Sequence, residues 1–229
     1  QAPYESTVIY IITTEEIEGD TTFTSYTIVD MKHDGANGMV VAKNIPLYMN
    51  STERLTVTDF FNGISVLGHE FDNNTFREYP VTLTGIGTPI YHPVGTIHSR
   101  NSDDYAKGYM KINSQDSRIA VPLQEETENI VEIFDYDANS DSISNPRRIN
   151  IDEAAPARIY GVEFSPDGSN LFVTTQTQLI QFELDSLDTD DEIADVEATK
   201  QIVTTGTNFG ALQLGPDGQI YMAVDGETT

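Results

Sequence analysis

Two stretches decide how this chain is read: "YGVEFSPDGSNLFVTT" (residues 160–175) and "FGALQLGPDGQIYMAV" (residues 209–224). Each sets a Pro-Asp-Gly turn, Pro166-Asp167-Gly168 and Pro216-Asp217-Gly218, between apolar runs. Proline presets φ at the second position of a tight turn, aspartate caps it through its side chain, and glycine takes the position with positive φ. One such tripeptide says little. Asp167 and Asp217, however, lie 50 residues apart, and the same order of strand types recurs upstream. "GYMKINSQDSRIAVPL" from Gly108 is a degenerate copy with a polar turn, and "LTVTDFFNGISVLGHE" is another with Asn62-Gly63 as its turn. A half-copy opens the chain, where Glu5-Ser6-Thr7 leads into "VIYIIT".

After the apolar run, each copy carries a short gap and a second strand: "SYTIVD", "FREYPV", "EIFDYD" and "IQFELD". The unit is therefore strand, polar turn, apolar strand, gap, amphipathic strand and a linker of variable length. Repeats start near residues 5, 59, 108, 160 and 209. A period of about 50 residues with several strands per unit marks a β-propeller blade. A sandwich would not preserve this order of strand types. The expected fold is all-β: a β-propeller segment over residues 1–229, with about five blades or part-blades of a ring of six to eight, within a larger multidomain protein. The apolar run after each turn is expected to be an inner strand buried on both faces.

Composition narrows the function classes. Twelve Lys and Arg stand against 37 Asp and Glu, a formal net charge of −25. So acidic a surface repels phosphate backbones, so nucleic acid is not the expected partner. No apolar run approaches the ~20 residues that cross a bilayer as a helix. There is no cysteine, hence no disulfide and no thiol nucleophile. Helical periodicity is nearly absent, and "DTDDEIADVEATK" (residues 188–200) is expected to be an exposed loop or a single turn.

The two opening stretches, with "LIQFELD", "GYMKINSQDSRIAV" and "IVEIFDYDANSDSISN", together resemble a propeller region of large surface proteins of Bacteroidota. Those proteins leave by the type 9 secretion system, and many end in a gliding-motility-associated C-terminal domain. Residues 160–168 and 210–221 match the family's segments almost throughout, with Gln219 where the family favours lysine. The resemblance implies a secreted or cell-surface location outside the outer membrane, and a protein of adhesin-like or structural kind.

Candidate sites are few. In "DYDANSDS", Asp135, Asp137, Asn139 and Asp141 alternate as oxygen ligands do around Ca²⁺. Ser140 stands where the sharp turn favours glycine, and no acid closes the loop. Calcium is therefore the one cofactor considered, against a plain solvated turn. His69-Glu70 ends an expected inner strand, so one of the two could face a central channel. His92 and His98, in "YHPVGTIHSR", read as incidental histidines of a long loop. "GISVLG" lacks the second glycine of a nucleophile elbow, Leu67 standing in its place.

The leading expectation is a non-enzymatic module acting in adhesion or as part of a surface appendage. Its partners would be other domains of the same protein, a surface glycan or protein ligand, or copies of itself. Its binding loops would be residues 43–58 and 81–104. Two alternatives stand beside it: a metal-dependent, lactonase-like propeller hydrolase, and a purely architectural oligomer or filament subunit.

Overall fold

The structure is a computed structural model that describes residues 7–15, 22–33, 37–60, 63–82, 84–99, 106–115, 117–124, 129–151, 158–188 and 192–226. Of the turn residues named above, Asn62 lies outside the described residues, while Gly63 opens a strand. The chain divides into two compact units, residues 1–106 and 107–229. The division falls just before the repeat that begins at Gly108.

In the first unit, β1 (Val8–Thr14), β2 (Phe23–Asp30) and β3 (Met39–Met49) form an antiparallel meander. A second sheet runs β4 (Ser51–Phe60), β5 (Gly63–Glu70), β6 (Thr75–Thr82) and β7 (Gly85–Ile86), with β8 (Ile90–Pro93) also paired to β6. Residues 43–58, expected as a binding loop, are in fact the ends of β3 and β4. They turn at Asn50, which takes φ 57. Alternating Tyr, Ile, Leu and Val positions make these strands, and Tyr48, Val66, Tyr79 and Val81 form the buried cluster beneath them. Of residues 81–104, Val81 and Thr82 end β6, β7 and β8 follow, and residues 83 and 100–104 lie outside the described residues.

The second unit shows the repeat most clearly. β9 (Lys111–Ile112), β10 (Arg118–Gln124), β11 (Asn129–Asp137) and β12 (Ser142–Asn150) make one four-stranded blade. The next comprises β13 (Ile159–Phe164), β14 (Asn170–Thr175), β15 (Gln178–Glu183) and β16 (Gln201–Thr205). β17 (Phe209–Leu214) and β18 (Ile220–Val224) begin a third. Leu171, Val173, Ile180 and Phe182 pack with Val131, Ile133 and Ile149 of the preceding blade in one dry core. Residues 188–200 are not a plain loop. Asp185–Asp188 forms a 3-10 turn and Glu192–Ala198 a short helix, α1, because Val196 and Leu187 are buried in that core. Among the described residues no helix is long and apolar enough to cross a membrane.

The Pro-Asp-Gly turns behave as their chemistry requires. Gly168 and Gly218 take φ 73 and 77, and their N–H groups donate to Ser165 and Gly215 carbonyls at 2.8 and 3.0 Å. The Asp167 carboxylate accepts from the Ser165 and Ser169 hydroxyls at 2.6 and 2.8 Å and from the Ser169 N–H at 3.1 Å. These bonds hold its carboxyl down to about 2. Asp217 accepts from Tyr221 Oη and Gln219 N–H, which lowers it likewise. In the preceding repeat, Asn113 Oδ1 plays the same part for the Ser117 and Arg118 N–H groups, and Ser114 Oγ donates to the Pro166 carbonyl at 2.7 Å.

One expectation needs correcting. The run after each turn is the second strand of its sheet, flanked on both sides in the sheets of β5, β10 and β14, and not the edge strand. β9, β13 and β17, the strands before the turns, are edge strands that meet from blade to blade, and β10 and β14 also touch the first strand of the next blade. β10 and β14 are nevertheless largely buried, because strands of the adjacent blades cover them, as the reading of an apolar run between blades expects.

Candidate functional site

The motif residues of β13 and β17 sew the blades together. Thr174 Oγ1 accepts from the Gly161 N–H at 2.9 Å and donates to the Gly210 carbonyl at 2.6 Å, so one hydroxyl joins three strands. A Cβ at position 161 would lie 2.5 Å from the Gly210 carbonyl oxygen and 3.0 Å from the Leu212 nitrogen, which is why glycine stands there. Glu163, almost buried, accepts from the Leu214 N–H at 2.9 Å and pairs with Lys111 Nζ at 3.0 Å. Lys111 Nζ also donates to Gln213 Oε1 at 2.8 Å. Gly161, Glu163, Gln213 and Leu214 of the two opening stretches are therefore architectural, as the turns are.

Directly above these stitches the backbone bulges twice, at the same place in each repeat. The β13–β14 register shifts between Ile159 and Val162, and the β17–β18 register between Phe209 and Leu212. A bulge bends a strand and re-aims its side chains. Around the two bulges opens a cleft of about 440 Å³ lined by Tyr109, Arg158, Tyr160, Gln176, Asn208, Phe209 and Asp225, with Gly210, Ala211, Ala223 and Val224 as its apolar floor. Tyr109 and Tyr160 meet edge to face at 5.7 Å, and the Tyr109 N–H donates to the Tyr160 carbonyl at 3.1 Å. The Phe209 N–H donates to the Gln176 carbonyl, and the Asp225 N–H to that of Asn208, which adopts φ 60. The cleft thus joins two aromatic walls, a guanidinium, a carboxylate and two carboxamides at the ends of the strands that lie nearest one another.

None of these cleft residues was singled out as a site by sequence. The available signal was an aromatic before glycine at the start of two repeats, Tyr160-Gly161 and Phe209-Gly210, with Gln176 and Asp225 16 residues later, just past the end of the return strand.

The four residues of the proposed calcium loop do not converge. Asp135 faces Arg147 and accepts from Asn145 Nδ2 at 2.8 Å. Asp137 accepts from the Asn139 N–H and Ser140 Oγ, which lower its carboxyl, so the loop is held as a turn by its own side chains. Among the described residues no three His, Cys, Asp or Glu side chains gather around a common point. His69 does not face a channel: β5 is a second strand, and the His69 ring is fully buried against His98 at 3.5 Å between centroids. Glu70 is bound to Arg77 and Asn73. The histidines read as loop residues are also buried, His92 on β8 beside Glu78 at 3.0 Å and His98 under His69.

No family model and no curated protein matches the sequence. Solved structures do match. A periplasmic gluconolactonase of Pseudomonas aeruginosa aligns with a TM-score of 0.62 at 15% identity, over 95% of this chain and 62% of that one. A candidate 6-phosphogluconolactonase of Bacteroides uniformis aligns with a TM-score of 0.53 at 14% identity, over 97% and 63%. One of Bacteroides fragilis does so with 0.53 at 15% identity, over 93% and 62%. At such identities the likeness establishes the fold, an all-β propeller, and this chain spans less than two thirds of those proteins. The neighbours nevertheless overturn the expectation of a non-enzymatic adhesion or appendage module. They are named as lactonases, which was the alternative weighed against it.

Proposed function

We propose that the chain belongs to a lactonase-like propeller hydrolase, and that the cleft between β13 and β17 holds its substrate. The observation that supports this reading is the cleft's lining, in a chain whose fold is that of proteins named as lactonases. Aromatic faces and carboxamides suit a small polyhydroxylated ring, one face of which is apolar and the rim polar. Hydrolysis of a lactone then needs two further things: a donor for the carbonyl oxygen as it becomes negative, and a base for the attacking water.

Arg158 and Asp225 are the two charged groups that line the cleft. In this reading the Asp225 carboxylate takes a proton from water as its oxygen adds to the lactone carbonyl carbon. The Arg158 guanidinium donates to the resulting oxyanion. Collapse then breaks the ring C–O bond, and the proton passes to the departing ring oxygen, leaving an open-chain hydroxy acid. Tyr109, Tyr160 and Phe209 would pack against the ring, with Gln176 and Asn208 holding its hydroxyls.

The test is acid release from glucono-δ-lactone, followed by pH-stat on the longest native chain containing this segment. A rate well above the buffer blank, lost in Arg158→Ala and Asp225→Asn, is expected. A rate equal to the blank on this and related aldonolactones ends the proposal. Export to the cell surface, suggested by the family resemblance and the acidity, belongs to the same proposal; protection of the protein from labelling on intact cells would rule it out.

A further inference from the structure

The first unit holds a group of ionisable side chains that hydrolysis at the cleft does not use. Arg54 of β4, His69 of β5, Glu78 of β6 and His92 of β8 share one buried face of that sheet, and His98 lies stacked on His69. His69 and His98 are 3.5 Å apart between ring centroids and inclined by 19°, with the edge of Phe76 closing the other side of His69 at 4.6 Å. His69 Nδ1–H donates to the Glu70 carbonyl at 2.6 Å, which leaves Nε2 as the bare nitrogen of a neutral ring. That Nε2 has no hydrogen-bond partner among the described residues. An Arg54 Nη1–H points at His98 Nδ1 from 3.5 Å, so that nitrogen too is unprotonated.

A second observation shows what the stack holds. The chain around His98 is tied to the turn after β5 by backbone bonds: Asp72 N–H to the His98 carbonyl at 2.8 Å, His98 N–H to that of Asn73 at 3.0 Å, and Val94 N–H to that of Asn74 at 2.9 Å. We propose that residues 94–99 form an acid-released strap, fastened to the 71–74 turn only while His69 and His98 are both uncharged.

The surrounding charges favour this. Arg54 brings one buried positive charge to the stack, and burial already lowers its guanidinium to about 9 against the opposing pull of Glu53. Glu70 is taken by Arg77 and Asn73, Glu78 lies against His92, and Asp72 sits exposed at the turn. A proton on either ring would place a second cation beside Arg54: on His69 it makes a buried Nε2–H without an acceptor among the described residues, and on His98 an Nδ1–H that opposes the Arg54 N–H. Burial first, then Arg54, pushes His69 down to about 3, the bond to Glu70 only partly opposing them. Burial, His69 and Arg54 push His98 well below its ordinary range. A released histidine titrates near ~6.5. The fastened state therefore binds fewer protons than the released one. Attachment is full above that value and weakens as pH falls, by about 30-fold per histidine at pH 5.

Amide exchange at pH 7 and pH 5 tests the strap. Protection factors at His98 and Asp72 should fall by ~1,000-fold on acidification, about 30-fold for each of the two histidines, while Val173 and Ile180 of the second unit keep theirs. In His69→Gln, the fall should shrink to that of a single histidine. Should that variant not fold, the wild-type ring signals decide. Those of His69 and His98 should stay in the neutral form at pH 5, below the ~6.5 of an ordinary imidazole. Unchanged protection at His98 and Asp72, an undiminished fall in His69→Gln, or rings that titrate in the ordinary imidazole range while protection holds, would each overturn the proposal. None of these readouts involves the cleft, so failure here leaves the lactonase reading untouched, and the reverse is equally true.

Discussion

The two units bury polar groups in opposite ways. In residues 107–229 two buried polar side chains have short, specific partners across a blade boundary: Thr174 of β14 with Gly210 as well as Gly161, and Glu163 of β13 with Lys111 and the Leu214 N–H. In residues 1–106 the sheet instead buries Arg54, His69 and His98 against one another, a contact that depends on two rings staying neutral. The first arrangement ties successive blades together through fixed partners. The second is, in the proposed strap, sensitive to pH. Paired polar groups fix the register of strands, whereas a stack of like titratable groups makes attachment conditional.

The strongest way to break this contrast is at Gly161. Gly161→Val forces a side chain onto the Gly210 carbonyl and the Leu212 nitrogen, both backbone atoms that cannot step aside. The expected loss is roughly 3 kcal/mol, read as a lower denaturation midpoint. If the variant melts with the wild type, blade contact at β13–β17 is not as close as described. Next comes the lactone assay: Arg158→Ala should lower hydrolysis by about 100-fold, with stability changed by no more than about 0.5 kcal/mol. A parallel loss of both would make Arg158 a structural residue.

Glu163→Gln should be milder, about 2 kcal/mol, because it leaves Lys111 without its carboxylate while the amide can still accept from the Leu214 N–H. The double change with Lys111→Met should recover part of that loss, a coupling that a double-mutant cycle measures directly. Additive losses would show that the pair does not act as a unit. The smallest effect is at the turn. Asp167 has a depressed carboxyl, so the stability it lends is present above ~3.9, its unfolded value, and is lost as pH falls towards about 2. The wild type should therefore lose more of its melting temperature between pH 4 and pH 2 than Asp167→Ala does. Equal slopes would mean that the hydroxyl bonds of Ser165 and Ser169 are not made in solution.

The repeat was legible because turn chemistry is local. Pro166-Asp167-Gly168 and Pro216-Asp217-Gly218 need nothing beyond their own residues to form, and their spacing located the strands on either side. The cleft was not legible. Tyr109, Arg158, Gln176, Asn208 and Asp225 come from five separate places in the chain, and the bulges that aim them appear only when strands pair. The short helix at Glu192–Ala198 was missed for a similar reason: its sequence is acidic and weakly apolar, and the single buried Val196 gains its partners only when the 3-10 turn and the neighbouring strands pack around it.

What the sequence by itself determined is the sequence of strand types, the turns between them and an acidic surface, since each follows from residues adjacent in the chain. Which strands lie innermost, that His69 and His98 stack, and that a cleft opens above Thr174 were decided by tertiary structure. These depend on residues brought together from far apart, and the free energy of close contact has no signature in local spacing.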